Sequence, residues 1–344
     1  MAPWGGGVLC FFALAGLNLA INAMVTPGLG FTGETWLGRR DMFYPTRPHK
    51  RQKAGCMRIA VSLLFMTGLG VAPIHAQEGF KPAPVIDIGV ETIKEGKSAA
   101  HEKVETEFAA TLRKAGFAGH YYGMASMSGM GQVWWIEPLP SFAAFEEYQK
   151  FTARDPLKSS LDNLDSRDGD LRSSFRQMWA VYRSDLSYKP ASCNVAKTRY
   201  ADISTFRIKL GKDDDLVGGA KVIFDAYGKG NIDMCLLGYQ VVAGAPSGTF
   251  LFVTLMDSMT FLDDRPARAK AMVAGMGEST YRQLTKGMGD LFVSMEDNLF
   301  VLKPDMSLAP PAVMDADPAF WKPKAAAKEK PPVSVPGPPE KKEP

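Results

Sequence analysis

Histidine and cysteine are both scarce, at four each in 344 residues. The cysteines have no CxxC spacing, so no metal site is signalled. No Ser/His/Asp or Cys/His set can be assembled by spacing either. An excess of charge of one sign is also lacking: 40 Lys and Arg stand against 37 Asp and Glu, a net +3. Seven basic and two acidic residues of that balance fall in residues 1–76, which leaves the rest of the chain at −2. The basic isoelectric point is thus a property of the N-terminal segment, and no nucleic-acid partner is expected. The glycines at 129–131 and 244–248 are no phosphate cradle, because each group joins two predicted strands, whereas a phosphate loop opens a helix.

What is present begins with an export signal. His49, Lys50, Arg51, Lys53 and Arg58 lead into the apolar run from Ile59 to Ala72. At about 14 residues that run suits a signal peptide and falls short of the ~20 a membrane span needs. Pro73 to Ala76 supplies a helix breaker and a small residue at the cut. Residues 57–76 therefore read as a signal peptide of a periplasmic or secreted bacterial protein that meets the membrane only through this segment. Residues 1–56 hold a second apolar run, Val8 to Val25, with no basic lead. They read as an upstream extension before a native start at Met57, against the alternative of a transmembrane helix with a basic cytoplasmic loop. Cys193 and Cys235 remain after cleavage and are a candidate disulfide in an oxidising compartment, although spacing does not show that they meet.

The body then reads as two similar halves, 82–192 and 196–306. Ile93-Lys94-Glu95-Gly96-Lys97 matches Ile208-Lys209-Leu210-Gly211-Lys212, and Gly123 matches Gly238, both at an offset of 115. Past a hairpin the offset becomes 117, with Gly131 to Ile136 on Gly248 to Val253. A period this long suits a duplicated domain rather than a solenoid. Each half reads strand, helix, strand, strand, helix, strand. Ala100, Val104, Phe108 and Leu112 mark the first helix, on whose polar side His101 is expected to be exposed. Asp155 to Asp170 reads as polar and irregular. From residue 307 the chain turns rich in Pro, then in Lys and Ala, and 307–344 reads as a disordered tail.

The predicted fold class is α+β: two tandem βαββαβ ferredoxin-like units whose antiparallel sheets pack as a fused α/β-barrel. By this element order, the Ile-Lys-x-Gly-Lys strand ends and the hairpins, the chain resembles the dimeric α/β-barrel superfamily, which includes antibiotic-biosynthesis-monooxygenase-like and NIPSNAP-like domains. The resemblance implies a ligand between sheet and helices or between the paired sheets. Haem-binding members place an axial histidine in the second unit; this chain has none there, which counts against haem, and neither cofactor nor metal is expected.

Strand residues with aromatic bulk and polar tips are the ligand-binding candidates: His120, Tyr122, Trp135, Glu137 and Tyr182 in the first half, Arg207 and Tyr239 in the second. Trp134 and Trp135 are adjacent on one strand and must face opposite ways. Met124, Met127 and Met130 diverge by the same rule, so copper is not favoured over core filling. The leading expectation is a non-catalytic barrel holding a small apolar or aromatic ligand, which calls for a pocket of ~300 Å³ or more. A cofactor-independent oxygenase-like enzyme requires His120, a Trp and a polar partner in one cavity. A structural or interaction module of the cell envelope is the third reading, and the chain reads as a monomer or a homodimer.

Overall fold

Residues 80–322 are described in a computed structural model. The upstream extension, the signal segment and residues 323–344 of the expected tail lie outside the described residues. The first half is built from β1 (Val85–Ile93), α1 (Ser98–Ala115), β2 (Tyr122–Ser126), β3 (Gln132–Leu139), α2 (Phe142–Thr152), α3 (Leu157–Gly169) and β4 (Arg172–Tyr188). The second contains β5 (Tyr200–Ile208), α4 (Asp213–Lys229), β6 (Leu236–Ala243), β7 (Thr249–Met256), α5 (Thr260–Asp263), α6 (Arg265–Met276), α7 (Glu278–Leu291) and β8 (Phe292–Leu302). Two short helices, α8 (Pro311–Ala316) and α9 (Pro318–Trp321), follow.

The eight strands close into one antiparallel barrel in the order β1-β3-β2-β8-β5-β7-β6-β4. Each half thus contributes the order β4-β1-β3-β2 or its counterpart β8-β5-β7-β6. Closure comes from pairing of β2 with β8 and of β4 with β6, so neither set of four keeps a free edge. Even the irregularities correspond: β1 bulges against β4 at Thr92/Ile93, and β5 against β8 at Arg207/Ile208. Gly238 is required where β6 crosses the bulged part of β4, since a Cβ there would sit 2.3 Å from the Leu186 carbonyl oxygen.

Strand alternation sorts residues between the barrel interior and the helix layer. Ile86, Ile88, Trp134, Ala201, Ile203 and Leu251 point into an apolar interior, while Phe206, Phe250 and Phe252 face α4, α6 and α7. Two local expectations are overturned. Asp155 to Asp170 is largely helical: Leu157, Leu161 and Leu164 form a stripe at helical spacing, with Asp168 one turn further on, and the stripe packs toward α1. Residues 307–322 are not a disordered tail. Leu308 bridges Tyr121, and Trp321, only 2% exposed, donates its indole N–H to the Ala196 carbonyl at 2.8 Å. Arg199 lies 3.8 Å over the Phe320 ring and pairs with Asp317. Pro-rich composition conceals these aromatic anchors.

Cys193 and Cys235 are bonded, with Cα atoms 5.2 Å apart across 42 residues, and tie the inter-half connection to β6. Loop-closure entropy assigns such a bond about 4 kcal/mol. Reduction, or a Cys193→Ser/Cys235→Ser double variant, should lower the urea unfolding free energy by roughly that amount while leaving the far-UV spectrum intact at low denaturant.

Candidate functional site

The barrel divides the sequence candidates between two spaces on opposite sides of its wall. The interior space is an apolar cavity of about 230 Å³, lined by Ile86, Ile88, Trp134, Ile203, Leu251 and Val253 among others. His120, Tyr122 and Tyr239 line it too, so three of the predicted ligand-binding residues share one cavity. Burial lowers the His120 imidazole and raises both tyrosines well above the ordinary phenol range, with Tyr182 adding to the shift of Tyr239. Phe80, Val195 and Pro310 close one end, and Tyr122 stacks edge-on against Trp321 at 5.7 Å. Tyr182 packs against Tyr239 and the interior cluster without lining the cavity. Arg207 is exposed near the end of β5 and lies outside both spaces. The cavity falls short of the ~300 Å³ expected, which limits any occupant to a small molecule.

The second space is a cleft of about 260 Å³ on the outer face of the first half's strands, under α1 and α3. Trp135 and Glu137 line it, on the opposite side of the sheet from Trp134, as alternation demands. Gly89 and Gly123 make room for the Trp135 indole; a Cβ on them would come within 3.2 and 2.7 Å of its ring. That indole donates to Glu91 Oε2 at 2.9 Å. Asp87 and Glu137 are direct cross-strand neighbours, and Gln177 donates to Asp87 at 2.7 Å. Burial, then Asp87, pushes the Glu137 carboxyl up to about 7; burial also raises Asp87.

At one end of this cleft Glu91 of β1, His101 and Glu105 of α1, and Asp168 of α3 converge, all four buried. Their ligand-type atoms lie within 4.8 Å of one another. His101 Nε2 is 2.8 Å from Glu91 Oε2 and 3.5 Å from Asp168 Oδ1. Arg172, at the start of β4, reaches Glu91 at 2.5 Å, Asp165 at 2.6 Å and Asp168 at 3.3 Å. Burial works to raise Glu91, but hydrogen bonds from His101, Trp135 and Arg172 outweigh it and hold the carboxyl below its usual range. Burial, then Glu91 and Asp168, drives Glu105 up to about 9. Burial and Glu91 likewise raise Asp168.

The expectation of an exposed His101 is therefore wrong: the ring is 1% exposed. The helix buries His101, Val104, Glu105, Ala109 and Leu112, whereas Ala100 is exposed, so its inward stripe is set by packing against α3. Reading apolar residues alone displaced that stripe and left its two polar members out. A search for polar residues on the apolar stripes of α1 and α3 would have found His101, Glu105 and Asp168.

No protein-family model and no curated protein matches the chain. Among solved structures it is similar to an anthrone oxidase-like protein at 12% identity, over 64% of this chain and 91% of that one, with a TM-score of 0.42. It is also similar to a mutant chlorite dismutase from Candidatus Nitrospira defluvii in complex with cyanide (8% identity, 66% and 93% covered, TM-score 0.40). A novel heme-binding protein from Thermus thermophilus is a third such structure (10% identity, 65% and 92% covered, TM-score 0.37). Likenesses this distant carry no chemistry across; the α+β closed barrel rests on the strand pairings above.

The raised value of Glu137 stabilises the fold fully below about pH 4.5, and that contribution is lost as pH rises through about 7. Wild type should lose on the order of 2 kcal/mol more than Glu137→Gln between pH 4.5 and 8, after allowance for partial exposure. Urea unfolding of both proteins across that range measures the difference.

Proposed function

We propose that this is an exported barrel protein that holds one small, largely apolar or aromatic molecule inside its barrel. The observation that carries the reading is the 230 Å³ interior cavity, apolar along its walls and offering His120, Tyr122 and Tyr239 as polar groups. Eight-stranded barrels are just wide enough either to fill with side chains or to keep one small ligand. A dry apolar cavity of ~150 Å³ already accepts benzene, so this one suits a one- or two-ring molecule. The Cys193–Cys235 bond supports an oxidising compartment, and with the signal-like segment 57–76 it supports export. The common strand order, the corresponding bulges and the constant sequence offsets support a tandem ferredoxin-like duplication within the dimeric α/β-barrel superfamily. The cavity lies within one chain, so ligand binding needs no second copy.

A second reading is favoured by one specific feature. His120, Trp134 and the two tyrosines meet in the same cavity, which is the convergence an oxygenase-like enzyme without a cofactor would need. Burial keeps the His120 imidazole neutral at physiological pH, where it can accept a proton from an acidic aromatic substrate.

Native mass spectrometry of protein isolated from its own host should show a bound small molecule, and one- or two-ring aromatics should quench the buried Trp134. A cavity-filling Ala201→Leu/Val253→Phe variant should fold and bind at least ~10-fold more weakly. His120→Leu should cost about 1–2 kcal/mol of affinity for a ligand with a polar tip. Binding that persists in the filled variant would remove the interior site from consideration.

A further inference from the structure

The second half supplies an internal control for the cluster at the end of the outer cleft. Strand register equates Glu91 with Phe206, since each sits two residues before the bulge of its strand, and Arg172 with Phe292, their partners being Ile93 and Ile208. The helices that follow equate His101 with Leu216 and Glu105 with Ala220, counted from the starts of α1 and α4. Asp168 and Met288 each precede their equated strand residues, Arg172 and Phe292, by four positions. Trp135 corresponds to Phe252, because these residues pair with Gly89 and Ser204 at matching places in the two sheets. The second half thus fills this layer with Phe206, Leu216, Ala220, Phe252, Met288 and Phe292, packed as one apolar cluster. The fold itself needs no polar atom there. Yet the first half buries three carboxyls and an imidazole in the same place, at a large desolvation cost.

One cation is not enough to satisfy them. Arg172 is divided among Glu91, Asp165 and Asp168, and neither buried oxygen of Asp168 accepts a hydrogen bond from any described residue. Asp168 is 1% exposed, and its carboxylate faces His101 and Arg172. A buried carboxylate that accepts no hydrogen bond, beside an imidazole and two further carboxyls, is the arrangement an ion completes. We propose that Glu91, His101, Glu105 and Asp168 bind one divalent transition-metal ion of the zinc or manganese type.

Ligand-type atoms within 4.8 Å of one another can converge on one ion with bonds of about 2.0–2.2 Å after side-chain shifts of up to roughly 0.7 Å per atom. One imidazole nitrogen with three carboxylate oxygens suits zinc, manganese or ferrous iron rather than copper(I), which prefers thiolate or thioether. His101 Nε2, now on Glu91, would turn its lone pair to the ion, and the Trp135 N–H already orients the Glu91 carboxylate. Glu91, Glu105 and Arg172 line the cleft, which gives the ion a path from solvent. This site lies outside the barrel wall, so it stands or falls apart from the interior ligand.

The test uses the full chain, stripped with EDTA and titrated with zinc and with manganese by calorimetry, with free manganese followed by electron paramagnetic resonance. Wild type should bind one equivalent of either ion and unfold at a higher temperature when loaded. Glu105→Gln, which keeps the side chain's shape, should fold normally and weaken binding at least ~10-fold, the loss that removing even an outer partner causes. His101→Leu, borrowed from the second half's own solution, should do the same. The Ala201→Leu/Val253→Phe cavity-filled protein should bind the ion as wild type does. No binding by folded wild type at millimolar ion, or unchanged binding in Glu105→Gln and His101→Leu, would overturn the proposal.

Discussion

Closure of the barrel is the constraint on which the remaining structure depends. Four strands in the order β4-β1-β3-β2 leave two edges unpaired and one sheet face without a helix layer. Pairing β2 with β8 and β4 with β6 removes the edges and gives every strand an interior side at once. Each strand then has two environments, set by the parity of the residue. Trp134 and Trp135 are chemically the same, yet one faces the interior cavity and the other the outer cleft.

That partition creates two unlike sites. The interior is shared by both halves and is mostly apolar, with His120, Tyr122 and Tyr239 among its few polar side chains. The outer layers belong to the halves separately and differ in most of their side chains, although both bury an aspartate, Asp87 on β1 and Asp202 on β5. At the positions matching Glu91, His101, Glu105 and Asp168 the second half packs Phe206, Leu216, Ala220 and Met288, where the first half places carboxyls and an imidazole. Polar burial of that kind lowers stability unless something is gained, and the adjacent apolar solution shows that stability alone did not select it.

The segment after β8 shows how a composition signal misleads. Proline frequency argues against a packed core in general, but the sixteen residues 307–322 are docked at both ends, by the Leu308–Tyr121 bridge and by contacts of Asp317, Phe320 and Trp321. Phe320 under Arg199, Trp321 on Ala196 and Asp317 between Lys197 and Arg199 fix the segment against the linker between the halves, next to the Cys193–Cys235 bond. Pro310 thereby becomes part of the cavity wall.

Much of the fold was legible in the chain itself. Strand alternation, helix periodicity and the offsets of 115 and 117 gave the order of elements, the hairpins and the opposite facing of Trp134 and Trp135, because these depend on local backbone geometry and short-range patterning. They also brought forward His120, Tyr122 and Tyr239, which do share a cavity. The helix at Leu157–Gly169 was missed although its leucines carry the period, since polar residues dominate its composition. What the tertiary structure alone decided is which polar residues meet. His101 and Glu105 acquire their chemistry from Glu91, ten or more positions away on β1, and from Asp168, more than sixty away on α3. Nothing in local sequence encodes that meeting, because it is set by how a helix rotates against a sheet and where a second helix closes over both. The amino-acid order determined the parts and their faces; the packing of α1 and α3 against the outside of the barrel determined the site.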